Sequence, residues 1–599
     1  MKRMSTCFPA IWVGFLLMSG VVSITGCMHH SSAKQANTSA SSGHFTKEKL
    51  PISYEPIIPL DSVRDSVTLY FNLRSIGGAS LHHEVSKAKK LLTQTRFLLE
   101  KERDLKKKIK LFIYPTVEAK GLLTHNTSVA HVDLGTNTIH RVGHKAFATH
   151  EDEAVAQLLL HNKMEKAKLP LMLRTGLAVS LTEHWREKGY QYWAAQLFRS
   201  GNGVPLSELL DDDLFKKESD LVMSCMAAVF VDFVLEKKGK DWLFQDKNTQ
   251  SILSLETEWQ QWMEQKLPPL TRHAKPSIPQ GLRGFNFTHE GYNINDGYSG
   301  NRAVCALDTL CSIGANAAAI VPYSYMPNPN QPSFIPFVKK HPGAEHDEGV
   351  IFCLHEARRN RMFTMLKPQV WLGRGHWPGD VEMQSEADWD AFFDYYYRWM
   401  RHYTLLAAMY DADALCVGVE FAKATTQRPK DWRKLVEQFR KLYPGVITYA
   451  ANWGDEFQNM AFADALDVVG LNCYYPLGNA DDMTKEQLKG RFLDRLKKID
   501  KRAVAWKRDI WFTEIGYPSL ATPWKQPHAE PRGLPSNPEH QARCYAATLE
   551  AIAEFPKPMS QFWWKWATNP AAANLHDKEF MPTAKPAQEV IRKMWGTNE

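Results

Sequence analysis

From residue 282 onward the sequence alternates between short β-prone runs and longer helical segments. The apolar, β-prone runs lie at residues 284–288, 317–323, 363–367, 415–420, 446–450, 468–472, 510–514 and 561–564. Eight strands, each followed by helical or loop material within about 315 residues, are typical of a (β/α)₈ barrel. An open, doubly wound sheet usually has fewer strands and a glycine-rich first turn, which Thr288-His289-Glu290-Gly291 does not provide. The sequence therefore predicts an α/β chain with a C-terminal (β/α)₈ TIM barrel.

A proline-rich stretch marks the predicted start of the barrel domain. Pro268, Pro269, Pro276 and Pro279 fall within about a dozen residues, and such a segment can continue neither a helix nor a central strand. Before it, strand-like runs near 67–73 and 110–115 precede helical patterns near 153–161, 174–188, 220–237 and 253–265. We therefore predict a smaller α+β domain over residues 61–270 and the barrel over residues 281–599.

The first residues have the composition of a targeting segment. Lys2 and Arg3 precede an apolar core at residues 8–22, which is short for a membrane span, and small residues then precede Cys27. This order resembles the lipobox of bacterial lipoproteins, in which the cysteine receives lipid after cleavage. We predict a lipoprotein signal peptide over residues 1–26 and lipidation of Cys27. The alternative is a plain secretory signal in which the cysteine occurs by chance.

Residues 27–60 are predicted to be a flexible tether. The stretch up to about residue 49 is rich in Ser, His, Ala, Thr and Lys, a composition that cannot bury a core. Met28, rather than an aspartate, follows Cys27, which in enteric-type sorting favours the outer membrane. The expected location is therefore the bacterial cell envelope, at the outer membrane, through the N-terminal lipid.

The charge and the cysteine spacing indicate neither nucleic-acid binding nor a zinc site. The net charge of +7 is small for 599 residues and the basic residues are scattered, so nucleic-acid binding is not indicated. The seven cysteines that follow Cys27 are spread out and show no Cys-x-x-Cys spacing of the kind that binds zinc. We predict that no metal or organic cofactor is required.

Two glutamates end two of the predicted strands. Glu420 ends the fourth run and Glu514 ends the seventh. In a barrel the C-terminal ends of the strands surround the active-site mouth. Two carboxylates about 5–5.5 Å apart, one nucleophile and one acid/base, are the machinery of a retaining glycosidase. The alternative is that each glutamate ends its strand at the surface and pairs with a lysine.

Aromatic residues follow several of the predicted strands, where barrel loops build a site. Pyranose rings stack on indole and phenol rings, so this clustering favours a sugar-binding mouth. Packing in the core is the alternative for any single one of them. The aromatic residues concerned are Trp371, Trp377, Trp453, Tyr474, Tyr475 and Trp564.

Several motifs in order suggest a known family. They are Gly284-Phe285-Asn286-Phe287-Thr288-His289, Met365-Leu366-Lys367-Pro368 with Trp371, Trp377-Pro378-Gly379-Asp380, Val417-Gly418-Val419-Glu420, Asn452-Trp453, Asp467-Val468-Val469-Gly470-Leu471-Asn472 with Tyr474-Tyr475-Pro476-Leu477, and Phe512-Thr513-Glu514-Ile515-Gly516-Tyr517. Through these motifs, residues from about 282 to 570 resemble the TIM-barrel glycoside hydrolases of family 113, the group that contains β-mannanases.

The resemblance implies roles for particular residues. Glu420 would be the acid/base, Glu514 the nucleophile, and Tyr474 a hydrogen-bond partner of the nucleophile. Many members of the wider clan carry asparagine just before the acid/base, where Val419 stands here, so the contact to the sugar 2-hydroxyl is unassigned. The substrate-binding residues that we predict are Asn286, His289, Lys367, Trp371, Trp377, Asn452, Trp453, Tyr474, Tyr475 and Trp564.

The N-terminal domain resembles a degenerate gluzincin-type peptidase domain. Zinc needs two histidines four residues apart on a helix, yet Ala154 stands four residues after His150. A second segment carries Thr175 before Gly-Leu-Ala, where such peptidases usually place a glutamate ligand. An α+β scaffold or protein-binding module is the plainer interpretation.

These observations lead to one functional prediction with two alternatives. The predicted protein is a lipid-anchored, retaining, endo-acting hydrolase of β-linked polysaccharide or oligosaccharide, with mannan as the preferred substrate. One alternative is a non-catalytic glycan-binding or envelope scaffold protein on a barrel frame. The other is an N-terminal peptidase with the barrel as an accessory domain.

Overall fold

A computed structural model describes residues 55–59, 67–71, 109–147, 152–182, 185–245, 248–289, 294, 297–338, 345–529, 533–569 and 573–596. Residues 52–599 form one compact unit. The predicted signal peptide, Cys27 and nearly all of the predicted tether lie outside the described residues, as does His150. No helix in the described ranges combines the length and apolar character that a membrane crossing requires.

The N-terminal part contains a five-stranded mixed sheet. Its strands are β1 (Glu55–Pro59), β2 (Val67–Phe71), β3 (Ile109–Tyr114), β4 (Ala130–Asp133) and β5 (Thr138–Val142), in the spatial order β1-β2-β3-β5-β4. The central pairs β2–β3 and β3–β5 are parallel, while β1 and β4 are antiparallel edge strands. The predicted α+β character is therefore observed, although three strands were missed. β4 and β5 are short and polar, and β1 lies within the segment predicted to be a flexible tether.

Helices accompany this sheet, the first between β3 and β4 and the others after β5. They are Val117–Thr124, Asp152–Lys166, Leu171–Ser180, Tyr190–Ser200, Leu206–Leu210, Asp212–Lys217, Asp220–Lys237, Lys240–Leu243, Thr249–Leu253 and Glu256–Lys266. The helix Asp220–Lys237 begins at the cap Ser219, whose hydroxyl accepts a hydrogen bond from Val222 N. It is apolar on nearly every side, which is the pattern of a buried helix, and thirteen of its residues from Leu221 to Val234 are buried.

The C-terminal part is a closed barrel of eight parallel strands, as predicted. Its strands are β6 (Arg283–Thr288), β7 (Ala317–Ile320), β9 (Phe363–Leu366), β11 (Ala414–Val419), β12 (Val446–Asn452), β13 (Val468–Asn472), β14 (Asp509–Ile515) and β15 (Ser560–Ala567). They are paired in chain order, and β15 closes the ring by pairing with β6. Inward-facing apolar side chains such as Met365, Cys416 and Trp511 fill the interior.

Helices surround the barrel. They are Asn301–Ser312, Asp347–Arg359, Glu386–Met409, Ala422–Gln427, Pro429–Leu442, Asp455–Asn459, Lys485–Trp506, Pro538–Glu554 and Pro586–Trp595. Pro429–Leu442 shows why they pack there: Trp432, Val436 and Phe439 recur at helical spacing and are buried, while charged residues occupy the other side.

Two short strands lie outside the barrel and correct the predicted ends of its second and third strands. The run 317–323 ends as a barrel strand at Ile320, and the run 363–367 ends at Leu366. Pro322 and Pro368 follow, and proline cannot donate to a strand ladder. The chain then continues as β8 (Tyr323–Met326) and β10 (Gln369–Leu372), which pair with each other in parallel.

The predicted domain division falls between the last N-terminal helix and β6, where residues 267–282 contain neither helix nor strand. Side chains nevertheless connect the two parts. Arg398 donates to Glu208 and Glu218, and the Ser219 hydroxyl lies 2.8 Å from His402 Nδ1. The division at residues 270–281 stays a prediction.

Candidate active site

Glu420 and Glu514 lie at the same end of the barrel. Glu420 directly follows β11, a strand buried at all of its positions, and Glu514 is the penultimate residue of β14. Between them, Asn472 at the end of β13 is aligned with Glu514, and its Nδ2 donates to Glu420 Oε1 at 3.0 Å. The hydroxyl of Thr513 donates to Asn472 Oδ1 at 3.0 Å, which fixes the amide with its NH₂ toward Glu420.

Three donors hold the carboxylate of Glu514, which is only 7% exposed. Lys367 Nζ forms an ion pair with Oε1, Gln369 Nε2 donates to the same oxygen at 3.1 Å, and the Tyr474 hydroxyl donates to Oε2 at 2.9 Å. A cation and two further donors thus contact both oxygens and fix their positions. This is the environment that a carboxylate nucleophile needs.

Lys367 is itself completely buried and needs compensating partners. Its Nζ donates to Asn286 Oδ1 at 3.0 Å in addition to its pair with Glu514. Asn286 Nδ2 donates in turn to the backbone oxygen of Thr513 at 3.0 Å. Asn286 therefore acts as a buried support that places Lys367, because its side chain is enclosed beneath the carboxylate.

Glu420 has the opposite electrostatic environment. Burial, together with the nearby charge of Glu514, raises the pKa of Glu420 to about 7 against the opposing hydrogen bonds from Asn472 and Asn452. Asn452 Nδ2 donates to Glu420 Oε1 at 3.2 Å. A carboxyl group with a pKa near neutrality can hold a proton and give it up at working pH, as a general acid/base must.

The backbone of Glu420 is strained, with a φ of +57°. Left-handed conformations of non-glycine residues persist only where the surroundings fix them, and they cluster at functional sites. Two hydrogen bonds fix this turn: Glu420 N donates to Ala450 O at 2.9 Å, and Phe421 N donates to the Tyr449 hydroxyl at 2.8 Å. β12 thus positions the backbone at Glu420.

A third carboxyl group, Glu456, underlies this arrangement. It is 3% exposed, and burial raises its pKa to about 7. The hydroxyls of Tyr449 and Thr425 donate to Oε1 at 2.7 and 2.9 Å, and Asn452 N donates to Oε2 at 2.7 Å. Glu456 therefore holds Tyr449, which supports the backbone beside Glu420, and Asn452, which contacts its side chain.

Replacing Glu456 by glutamine is expected to lower kcat about 10-fold, the smaller end of what is lost when a residue that orients an active-site group is replaced. The amide keeps only one acceptor oxygen, so Asn452 N and the Tyr449 hydroxyl can no longer both be held, and the contacts that position Glu420 loosen. Because the Asn452 hydrogen bond lowers the pKa of Glu420, the high-pH limb of kcat/KM should move upward while KM changes little. Glu437→Gln, the same change at an exposed position of a barrel helix, is the matched control. An unmoved pH limb would contradict this positioning role.

The other residues predicted to bind substrate fall into an inner and an outer group. In the inner group, the half-buried Trp564 lies beneath Lys367 Nζ, 5.6 Å from its ring centre. Trp453 follows Asn452 directly, and its ring packs at 5.4 Å against Tyr475 and at 5.5 Å against His528. The inner group therefore adjoins Lys367 and Asn452, which contact Glu514 and Glu420 respectively.

The outer group follows the ends of the barrel strands β6 and β9. His289, after β6, contacts the carboxyl group of Glu345 and packs edge-on against Tyr298. Trp371 lies on β10, and Trp377 is 39% exposed in the loop beyond it. These three residues are less directly connected to Glu420 and Glu514 than Lys367, Asn452 and Tyr474 are.

Sequence reasoning missed three residues of the site. Gln369 follows Pro368 in the motif around Lys367, Asn472 ends the sixth strand, and Glu456 comes four residues after Asn452. The position of Asn472 at a strand end was a usable signal, as it was for Glu420. Nothing local in the sequence shows that Gln369 and Glu456 turn back toward the site. Among the described residues, no group of three or more His, Cys, Asp or Glu side chains is arranged to hold a metal ion.

Comparison with known proteins gives a family match for the barrel. Residues 287–585, about half of the chain, match the model of Glycoside Hydrolase Family 113. No curated protein matches the chain.

Solved structures with similarity to this chain include a complex of a GH113 β-1,4-mannanase, at 22% identity and a TM-score of 0.47, covering 53% of this chain and 100% of that one. The GH113 β-mannanase from Alicyclobacillus acidocaldarius in complex with ManMIm has 24% identity and a TM-score of 0.47, covering 53% and 97%. A Glycoside Hydrolase Family 5 mannosidase from Rhizomucor miehei has 14% identity and a TM-score of 0.36, covering 53% and 92%.

Proposed function

We propose that the barrel is a retaining, endo-acting hydrolase of β-linked glycans. Glycoside hydrolase activity is supported by the family model that matches residues 287–585. The observation that carries the mechanism is the contrast between two neighbouring carboxyl groups. The Glu514 carboxylate accepts hydrogen bonds from Lys367, Gln369 and Tyr474, whereas burial and the charge of Glu514 raise the pKa of Glu420 to about 7. This difference in environment supports Glu514 as the nucleophile and Glu420 as the acid.

In the first step, an oxygen of Glu514 attacks the anomeric carbon, and the bond from this carbon to the leaving oxygen breaks. Glu420 gives its proton to that oxygen, so the aglycone leaves as an alcohol. Glu514 is then a neutral ester. Since the charge of Glu514 is one cause of the raised pKa of Glu420, its loss lowers that pKa. Glu420 is then suited to accept a proton from water, which attacks the anomeric carbon and releases Glu514.

Mannan is the first substrate to test because residues 287–585 match the family 113 model and the motifs of the barrel resemble those of the group that contains β-mannanases. The decisive experiment incubates the full-length protein with mannan, glucomannan, xylan and galactan and follows new reducing ends and product sizes. We expect cleavage of at least one β-glycan into oligosaccharides, with the β-configuration visible by NMR in the first product. Binding without new reducing ends would favour the non-catalytic glycan-binding alternative, and a first product with inverted configuration would overturn the retaining mechanism.

We also propose that lipid on Cys27 anchors the protein to the cell envelope, at the outer membrane. The order of charged, apolar and small residues before Cys27 supports this. Replacing Cys27 by serine is expected to abolish incorporation of radiolabelled palmitate in a bacterial host and to release the protein from the membrane fraction. Unchanged labelling and sedimentation would instead favour a plain secretory signal.

For the N-terminal part we propose a non-catalytic scaffold or protein-binding role. Thr175 lies within the helix Leu171–Ser180, at the position where the resembling peptidases carry a glutamate ligand. A threonine hydroxyl is not among the usual zinc ligands. Stoichiometric zinc in the purified protein, together with peptidase activity that a chelator removes, would overturn this proposal.

A further inference from the structure

The small sheet outside the barrel has two different faces. β8 and β10 are parallel, with Tyr323 opposite Gln369 and Tyr325 opposite Trp371. Since side chains alternate along a strand, these four residues share one face. The opposite face is formed by the buried side chains Ser324, Met326, Val370 and Leu372. One face therefore anchors the sheet to the protein, and the other carries three aromatic rings and an amide.

The inner row of this face reaches the candidate active site. Gln369 Nε2 donates to Glu514 Oε1 at 3.1 Å, and Tyr323 is its neighbour across the pair. The outer row, Trp371 and Tyr325, lies two residues farther along each strand, a displacement of about 6.6 Å. The face therefore starts at the carboxylate that we assign as nucleophile and leads outward from it.

The outer row is exposed although it is aromatic. Trp371 is 59% exposed and Tyr325 is 41% exposed. The Trp371 ring packs at 5.6 Å against Tyr323. Gly373 makes room for Tyr325, because a Cβ at residue 373 would lie 2.5 Å from the Tyr325 hydroxyl oxygen. The two rings are thus held in place by their surroundings while an apolar surface remains in water, as expected of a binding surface.

We propose that this aromatic face, formed by Tyr323, Tyr325, Gln369 and Trp371, binds the part of a β-glycan chain that extends from the nucleophile side of the cleavage site. The proposal rests on the proposed function and adds to it that the protein selects long chains. A sugar polymer fits because its rings present C–H faces to aromatic side chains and its hydroxyls bond to Tyr and Gln. Continuity with Glu514 through Gln369 favours such a chain over an apolar protein segment.

The test compares Trp371→Ala, Tyr325→Ala and the double variant with the wild type on β-1,4-mannotriose and β-1,4-mannohexaose, or on the matching oligosaccharides of whichever glycan is cleaved. We expect each single change to lower kcat/KM for the hexasaccharide by up to about tenfold, since each removes one stacking partner. The trisaccharide should be affected much less. Val504→Ala, which truncates an apolar side chain that is 62% exposed on a barrel helix, is the control. Equal losses on both substrates, or none, would overturn the proposal.

A binding measurement separates this inference from the catalytic proposal. Migration of Glu514→Gln in native gels containing mannan is compared with that of Glu514→Gln combined with Trp371→Ala and Tyr325→Ala. We expect retardation of the first protein and a clear loss of it in the second. If the wild type cleaves no glycan but retardation still depends on the two rings, the catalytic proposal fails while the binding surface stands. If cleavage occurs but neither retardation nor chain-length preference depends on the two rings, the catalytic proposal stands and the proposed binding surface fails.

Discussion

Replacing Glu514 by glutamine is expected to lower glycan hydrolysis by at least about 10⁴-fold, the scale on which loss of a covalent nucleophile slows other enzymes. The amide has nearly the shape of the carboxylate but cannot form the glycosyl ester. The initial rate of reducing-end release from the cleaved glycan measures the loss. Glu437→Gln, at an exposed position, should retain full activity. Turnover near the wild-type rate in Glu514→Gln would exclude Glu514 as the nucleophile.

The alanine variant at this position should be less stable. Lys367 is fully buried and pairs with Glu514, and removing one partner of a buried ion pair typically costs about 3–5 kcal/mol.

The same variant should accept an external nucleophile, because a small anion can replace the missing charge beside Lys367. With a substrate that carries a good leaving group, azide should enter this space in Glu514→Ala and attack the anomeric carbon directly. The expected product is the glycosyl azide of inverted configuration, identified by NMR.

Much of the barrel could be predicted because each of its strands is a local, apolar run. Glu420 and Glu514 end such runs, and strand ends of a barrel converge on one mouth, so their common location followed from the fold. The second and third barrel strands end earlier than predicted. Pro322 and Pro368 end two barrel strands, but their presence alone did not reveal that the chain resumes as a separate pair, β8 and β10.

The supporting contacts of the site could not be predicted in the same way. Asn286 lies on β6, Glu514 lies on β14, and Lys367 follows β9, so the three are far apart in the sequence. Closure of the barrel brings them together and makes Asn286 a hydrogen-bond partner of Lys367. Glu456 lies in the helix Asp455–Asn459, where a charged residue normally indicates exposure, yet tertiary contacts from Tyr449 and Thr425 enclose it. Such roles depend on long-range packing, which sequence periodicity does not report.

The pH dependence of the enzyme should be governed on its alkaline side by Glu420. The first step needs Glu420 protonated, and burial together with the charge of Glu514 raises the pKa of Glu420 to about 7. The protonated fraction therefore falls as pH rises through about 7, and kcat/KM should fall with it. In Glu420→Ala this alkaline limb should disappear, and kcat/KM for the natural glycan should drop by about 10²–10⁴-fold, the usual contribution of a general acid/base.

The two glutamates can be distinguished by the configuration of the rescue product. A substrate with a dinitrophenyl leaving group needs no protonation, so Glu420→Ala should still form the Glu514 ester but hydrolyse it slowly. Azide then attacks the ester from the face that Glu420 serves, and two displacements at the anomeric carbon give an azide of retained configuration. Glu514→Ala, which allows only one displacement, gives the inverted azide. If Glu420→Ala yields the inverted azide and Glu514→Ala the retained one, the roles of the two residues are exchanged, because the residue whose loss removes one displacement is the nucleophile.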